Sequence, residues 1–442
     1  MTRFYSALRL TYTLRLVTAL VAALAVFQGA QALPASTYAD QSRLSQGTWV
    51  RVSVDRSGMH LITDAMLRNW GFSDPSKVKV FGYGGRRLPE LLGSNYVDDL
   101  PQTASEYVAG RGVFFYAEGP VSFKESATGY FVPTSHPGSV VGYYFLSDSV
   151  TDEERLTPSS QPYEGSMPGG ADIATYFMDR IWHEVDLISP GEAGFLLLGE
   201  DFRTTTSRNF SFNLPGFTPA EDTRLEIAFV AKSVTGRSEL QVSVNGTPQT
   251  TTSADRIAMV TDKYSYGNLT QSRKLLSLKS GALTVGIKYN CQSSVVSANL
   301  DYIAINYPRQ LVIPAEGLTV YTGENTAYRL QGATADTRVW GVTDPLFPTS
   351  PRIKADNGAD LLFFPTSRSQ GTYVAWNPSG VFPAPAFVGK VRNQNLHASA
   401  IADMVIFTPN EWKDQAERLA QMHRTDPVEP LTVSVITPQE LY

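Results

Sequence analysis

Cys291 is the chain's one cysteine and the first residue to weigh for chemistry. A thiolate attacks a carbonyl carbon when a histidine partner and a base-poised environment activate it. Cys291 lies in "IKYNCQSS", at the end of an alternating strand pattern. A small buried, inert side chain is the reading we adopt for it. The five histidines are His60, His136, His183, His397 and His423. None forms H-E-x-x-H or a paired zinc spacing. His183-Glu184 falls in "RIWHEVDL", a strand or strand edge, and we take it as structural.

"FGYGGRRLPE" places a glycine cluster after a strand. A phosphate-cradling loop needs a helix directly behind it, and Pro89 and the lack of G-K-[ST] point to a glycine turn instead. Asp98-Asp99 and Glu153-Glu154 are carboxylate pairs in loop-like text, and sequence alone does not make two carboxyls converge. The G-x-S-x-G nucleophile elbow is absent. We therefore name no catalytic residue, no cofactor-binding residue and no metal ligand in this chain, and expect no cofactor.

The elements that would position any site are mainly β. A chain of 442 residues has length for about three domains and a sizeable core. Gly, Tyr and Phe are plentiful and charged residues are 18% of the total, a mix that suits β-rich exported domains. The net charge of −5 with no basic block excludes nucleic acid as an expected partner. Residues 1–32 read as a signal peptide: Arg3, Arg9 and Arg15, an uncharged run from Leu16 to Phe27, then Ala30-Gln31-Ala32 as cleavage site. The mature protein is expected to begin near Leu33, exported and soluble, with no membrane span after cleavage. One cysteine provides no internal disulfide framework, so burial must hold the fold.

Residues 33–147 read as an N-terminal β domain with one short helix. "WVRVSV" alternates through Val50, Val52 and Val54, "DRSG" turns, "MHLIT" returns, and "TDAMLRNWGF" is a helix that Gly71 ends. Residues 148–175 read as a linker or long loop, rich in Ser, Pro, Gly and acids. Residues 176–310 carry the clearest sandwich signal. Leu225, Ile227, Phe229 and Ala231 alternate with Glu226, Ala228, Val230 and Lys232; Leu240, Val242 and Val244 precede an Asn245-Gly246 hairpin turn; Leu283, Val285, Ile287 and Tyr289 repeat the pattern. One-sided alternation of this kind means two antiparallel sheets sharing a core, similar to the jelly-roll sandwiches of carbohydrate-binding modules. Residues 311–395 read as a smaller β domain.

Residues 396–442 read differently. Met404-Val405-Ile406-Phe407 is a strand, and Thr408-Pro409-Asn410-Glu411 opens a helix carrying Trp412, Ala416, Leu419 and His423 at helical spacing. Leu431 to Ile436 is a second strand, and Thr437-Pro438-Gln439-Glu440 a second capped helix start. Strand, helix, strand and helix start are the opening of a βαβ-built sheet, so the chain is expected to be the front part of something longer. We expect this tail to be poorly ordered or aggregation-prone by itself.

Taken in order, "WVRVSVDRSGMHLIT", "VKVFGYGGRRLPE", "VFFYAEGPVSF", "WHEVDLISPGEAGFLLLGEDF", "NLDYIAINYPRQL", "VWGVTDP" and the tail from Ala402 to Tyr442 resemble the type IX secretion sortases, gingipain-type cysteine peptidases of Bacteroidetes. The resemblance runs from about Trp49 to Tyr442, and the tail resembles the start of their α/β peptidase domain. It implies an exported enzyme at the outer-membrane surface that removes C-terminal sorting signals from cargo through a Cys–His pair. It implies secreted cargo, other type IX components and a surface lipopolysaccharide as partners. Neither Cys291 nor any histidine here matches the family's catalytic pair, so this chain is expected to be non-catalytic. The alternative is an exported β-sandwich binding or scaffold protein that recognises a surface glycan or a secretion partner.

Overall fold

A computed structural model of the chain describes residues 38–88, 98–165, 171–190, 196–257, 267–291, 296–356 and 358–441. The expected signal peptide and its cleavage site lie outside these residues, as do Pro89 and residues 191–195. The fold is mainly β, in several antiparallel sheets, as the alternation implied. The chain divides into two compact units: residues 46–87 with 101–393, and the remainder.

In the larger unit, Val50–Val54 lies between Gly142–Ser147 and Ala386–Lys390, with Lys79–Gly84 beyond, all antiparallel. Val50, Val52 and Val54 all point into one core with Ile62, Phe115 and Leu146. The helix Asp64–Trp70 forms because Thr63 accepts the Met66 N–H at its start and Gly71, at φ 107°, ends it in the left-handed conformation.

The sandwich is formed by two four-stranded antiparallel sheets. One orders Tyr176–Glu184, Val296–Gln310, Thr223–Ser233 and Asn268–Leu276; the other orders Ser207–Asn213, Ala282–Cys291, Ser238–Val244 and Thr247–Ala254. Leu225, Ile227, Phe229 and Ala231 face the shared core with Val242, Val285 and Ile303. The other face of the same strand is also buried: Glu226, Ala228 and Val230 are 1%, 0% and 3% exposed. The cover is the hairpin Val121–Ala127 with Tyr130–Ser135, whose Val132 packs on Ala228, Tyr302 and Ala304.

Residues beyond 311 form two further sheets. Leu318–Thr322, Gly371–Trp376 and Arg338–Gly341 make one. The other is centred on Ala327–Leu330, Leu361–Phe364 and Arg352–Ala355, and gains short parallel additions at Gln161–Pro162 and Ile173–Ala174. The stretch 148–175, expected as linker or loop, thus contributes two sheet edges. Trp340, Val374 and Trp376 share a core with Met59, Leu61 and Phe114, and Phe114 stacks on Trp376 at 4.7 Å.

In the smaller unit, Met404–Phe407 and Val433–Ile436 pair in parallel, and the helix Lys413–Arg424 buries Ala416 and Ala420. Glu440 accepts the Thr437 N–H at 2.8 Å, the expected reach back to the cap. The matching device at Thr408 does not form. Pro409 is extended (ψ 151°), no side chain caps the following turn, and Thr408 Oγ1 donates to the Pro409 carbonyl. After a 3-10 turn at Asn410–Trp412 the α-helix starts at Lys413, and Trp412 and Leu419, read at helical spacing with Ala416, are exposed. Among the described residues no helix is long and apolar enough to cross a membrane.

Candidate binding cleft

The strand Tyr176–Glu184 is an edge of its sheet. Its alternation sends Ile181 toward the sandwich core and Arg180 and Trp182 toward the covering hairpin. There the Arg180 guanidinium lies between two rings, 3.8 Å from the centroid of Phe131 and 3.8 Å from that of Tyr321. Phe123 stands at 5.3 Å. Cation–π contacts of this kind contribute about 0.5–2 kcal/mol each. They do not satisfy N–H groups, and Arg180 Nε is buried with no hydrogen-bond partner. The adjacent Asp179 carboxylate is already taken, by Arg309 Nη1 at 2.7 Å and Tyr307 OH at 3.1 Å. Burial pulls the Arg180 pKa below the usual arginine value, with Tyr321, Asp179 and Glu125 opposing.

Arg180 separates two clefts. One, of about 700 Å³, is lined by Asp172, Tyr176, Glu221, Arg224 and Asn325 among others, and its charges balance. The other, of about 600 Å³, holds Arg56, Arg86, Arg87 and Arg180 against Asp55 and Glu118. Arg86 reaches this cleft through the glycine turn read from the sequence. Gly84 has φ 63°, and a Cβ there would lie 2.7 Å from the Glu118 carbonyl oxygen, so only glycine allows the two segments to meet. Arg86 Nη2 then bridges Glu118 at 3.0 Å and Asp344 at 3.1 Å.

The residues weighed from sequence lie elsewhere or serve structure. Cys291 Sγ donates toward Ser233 Oγ at 3.4 Å and accepts from Ser238 Oγ at 3.8 Å, half-buried at the end of its strand. His183 Nε2 is 2.8 Å from Glu200 Oε1 and its ring packs beside Phe210. His60 is buried against Phe115, and burial lowers its pKa toward the neutral ring. His136 borders the arginine-rich cleft and accepts the Gly138 N–H. His397 Nε2 meets Asp98 at 3.0 Å, and the His423 carbonyl accepts the Leu431 N–H. Members of both acid pairs are engaged as hydrogen-bond acceptors. Asp98 accepts the Ala39 N–H and Asp99 the Arg43 N–H, while Glu153 accepts from Gln102 Nε2. Arg180 was not among the sequence candidates, although "RIWHEVDL" begins with it. Its one signal is an arginine two residues before a tryptophan on the outward face of an edge strand.

No protein-family model matches the chain, and no curated protein matches it. Among solved structures, the crystal structure of dimeric latent PorU from Porphyromonas gingivalis superposes with TM-score 0.78 at 28% identity. The match covers 91% of this chain and 38% of that one. The CBM36-1 domain of a xylanase from the Trinervitermes trinervoides hindgut metagenome gives TM-score 0.17 at 11% identity, over 22% of this chain and 68% of that one. The Cry8Ea1 delta-endotoxin of Bacillus thuringiensis gives 0.23 at 11%, over 53% and 42%. At those scores neither supports an argument. The chain spans 38% of the length of the PorU structure, and over most of its own length its fold is similar to that part of PorU.

Proposed function

We propose that these residues form a non-catalytic β region of a type IX secretion sortase, a cell-surface cysteine peptidase that removes C-terminal sorting signals from cargo. The observation that carries the reading is the PorU likeness over 91% of the chain. The ordered sequence resemblance from Trp49 onward agrees with it. Export follows from the signal-peptide pattern of residues 1–32. We keep 33–147, 176–310 and 311–395 as the working domains, which would orient and shield a peptidase domain. Cargo proteins and other type IX components at the outer membrane are the partners this implies, together with a surface lipopolysaccharide. The purified chain, incubated with a cargo protein bearing its C-terminal signal, is expected to leave it intact. Cleavage that disappears in Cys291→Ser would overturn the non-catalytic part of the reading.

A second reading, an exported binding protein, draws on the outer face of the sheet containing Ala282–Cys291. A groove of about 630 Å³ there is lined by Asn209, Gln241, Ser243, Gln249 and Lys288. These amides and hydroxyls suit a glycan, but none of the groove's lining residues is an aromatic on which a sugar ring could stack. That places it behind the first reading. Glycan-array binding by the full chain, lost in Gln241→Ala, would reverse the order.

A further inference from the structure

We propose that the arginine-rich cleft around Arg180 is an oxyanion site, taking a carboxylate or phosphate group of a ligand or partner. The inference stands on geometry and does not depend on the sortase reading. A buried guanidinium N–H without an acceptor is costly, and nearly all buried donors in folded proteins find one. Arg180 Nε has none among the described residues, and the nearest carboxylate in sequence is committed to Arg309 and Tyr307. The Phe131 and Tyr321 rings hold the guanidinium plane in place, so little side-chain entropy is lost when an anion docks.

The electrostatics of the cleft point the same way. The whole chain carries −5, yet this one wall gathers four arginines against two carboxylates. Of these, Glu118 and Arg86 are bridged to each other, and Arg86 also meets Asp344. Concave surfaces with an excess of one charge concentrate counter-ions. Ser57 and Thr134 add hydroxyls along the same cleft, while those of Ser122 and Ser135 are spent on the Thr134 carbonyl and on Glu184. Trp182, 37% exposed, offers an apolar surface beside the charge. An anion bound there would accept the Arg180 N–H groups as charge-assisted hydrogen bonds, which are about twice as strong as neutral ones.

The test is calorimetric titration of the full chain with sodium phosphate and, separately, with sodium citrate, ionic strength held constant with sodium chloride. Wild type is expected to saturate at one site with at least one anion, with Kd in the range of about 0.1–10 mM. Arg180→Met is expected to weaken that binding at least about tenfold, and Arg56→Gln, an exposed change, by about two- to fivefold. Saturation by citrate alone assigns a carboxylate ligand, by phosphate alone a phosphate ester, and by both a general oxyanion site. Absence of saturation by either anion overturns the proposal, as does unchanged binding in Arg180→Met. If circular dichroism shows Arg180→Met unfolded, Arg56→Gln decides, and wild-type affinity in that variant overturns the site.

Discussion

Glu226 Oε2 lies 2.5 Å from Ser126 Oγ, one hundred positions earlier in the chain. The same carboxylate, 1% exposed, also accepts from Arg273 Nε at 2.8 Å and Tyr302 OH at 2.9 Å. It fastens the covering hairpin to the sandwich. Removing one partner from a buried charge network leaves the others uncompensated, so Glu226→Ala is expected to lose about 3–5 kcal/mol and Ser126→Ala about 1 kcal/mol in chemical denaturation. A loss below about 1 kcal/mol for Glu226→Ala would show the network to be dispensable.

Asn306 fastens the hairpin a second time. Its side-chain carbonyl accepts the Phe131 N–H at 2.5 Å and its amide donates to the Phe131 carbonyl at 2.9 Å, imitating a strand neighbour. Asn306→Ala should cost about 1–3 kcal/mol and speed hydrogen exchange at the Phe131 amide. Because Phe131 is one face of the Arg180 sandwich, the same variant should also weaken anion binding. An unchanged Phe131 exchange rate would remove Asn306 from this role.

Asp301 is expected to make stability fall as pH rises. Burial, reinforced by Glu184 and Asp186 and opposed by Lys124, pushes its carboxyl up to about 7. The folded state then keeps a proton that the unfolded chain releases near pH 4, so the folded state loses ground between about pH 4 and 7. Asp301→Asn should flatten that slope and stabilise the protein at pH 8 by about 1–3 kcal/mol. A wild-type stability that rises steadily from pH 5 to 8, unaltered by Asp301→Asn, would contradict the assignment.

The parallel pair at 404–407 and 433–436 should open more readily than the sandwich. Among the described residues these strands pair only with each other, and Val405 and Phe407 are 45% and 63% exposed. Amide exchange at 404–407 is expected to be at least about a hundredfold faster than at 225–231. Equal protection in the two places would sink the expectation.

Periodicity made one face of each strand legible and left its cover unread. Val50, Val52 and Val54, and Leu225 to Ala231, declare an apolar face by alternation, and those residues are the cores. The Gly71 cap was readable because capping chemistry is local. Alternation cannot say what lies over the opposite face. Glu226 therefore read as a polar outward residue, when the hairpin buries it. The pairing of Ala386–Lys390 with Val50–Val54 joins residues more than 300 positions apart, and no local signal encodes it. The Arg180 site escaped for the same reason: Phe131, Arg180 and Tyr321 come from three separate elements that meet only in the fold.

The central claim is membership in type IX sorting, and deletion of the gene encoding this chain in its source organism tests it most directly. C-terminal peptides of secreted cargo would be read by mass spectrometry in the parent, the deletion strain and a complemented strain. The account expects cargo in the deletion strain to retain its C-terminal sorting signals and complementation to restore their removal. Cargo trimmed normally in the deletion strain would contradict the sortase reading and move the chain to the class of exported binding proteins.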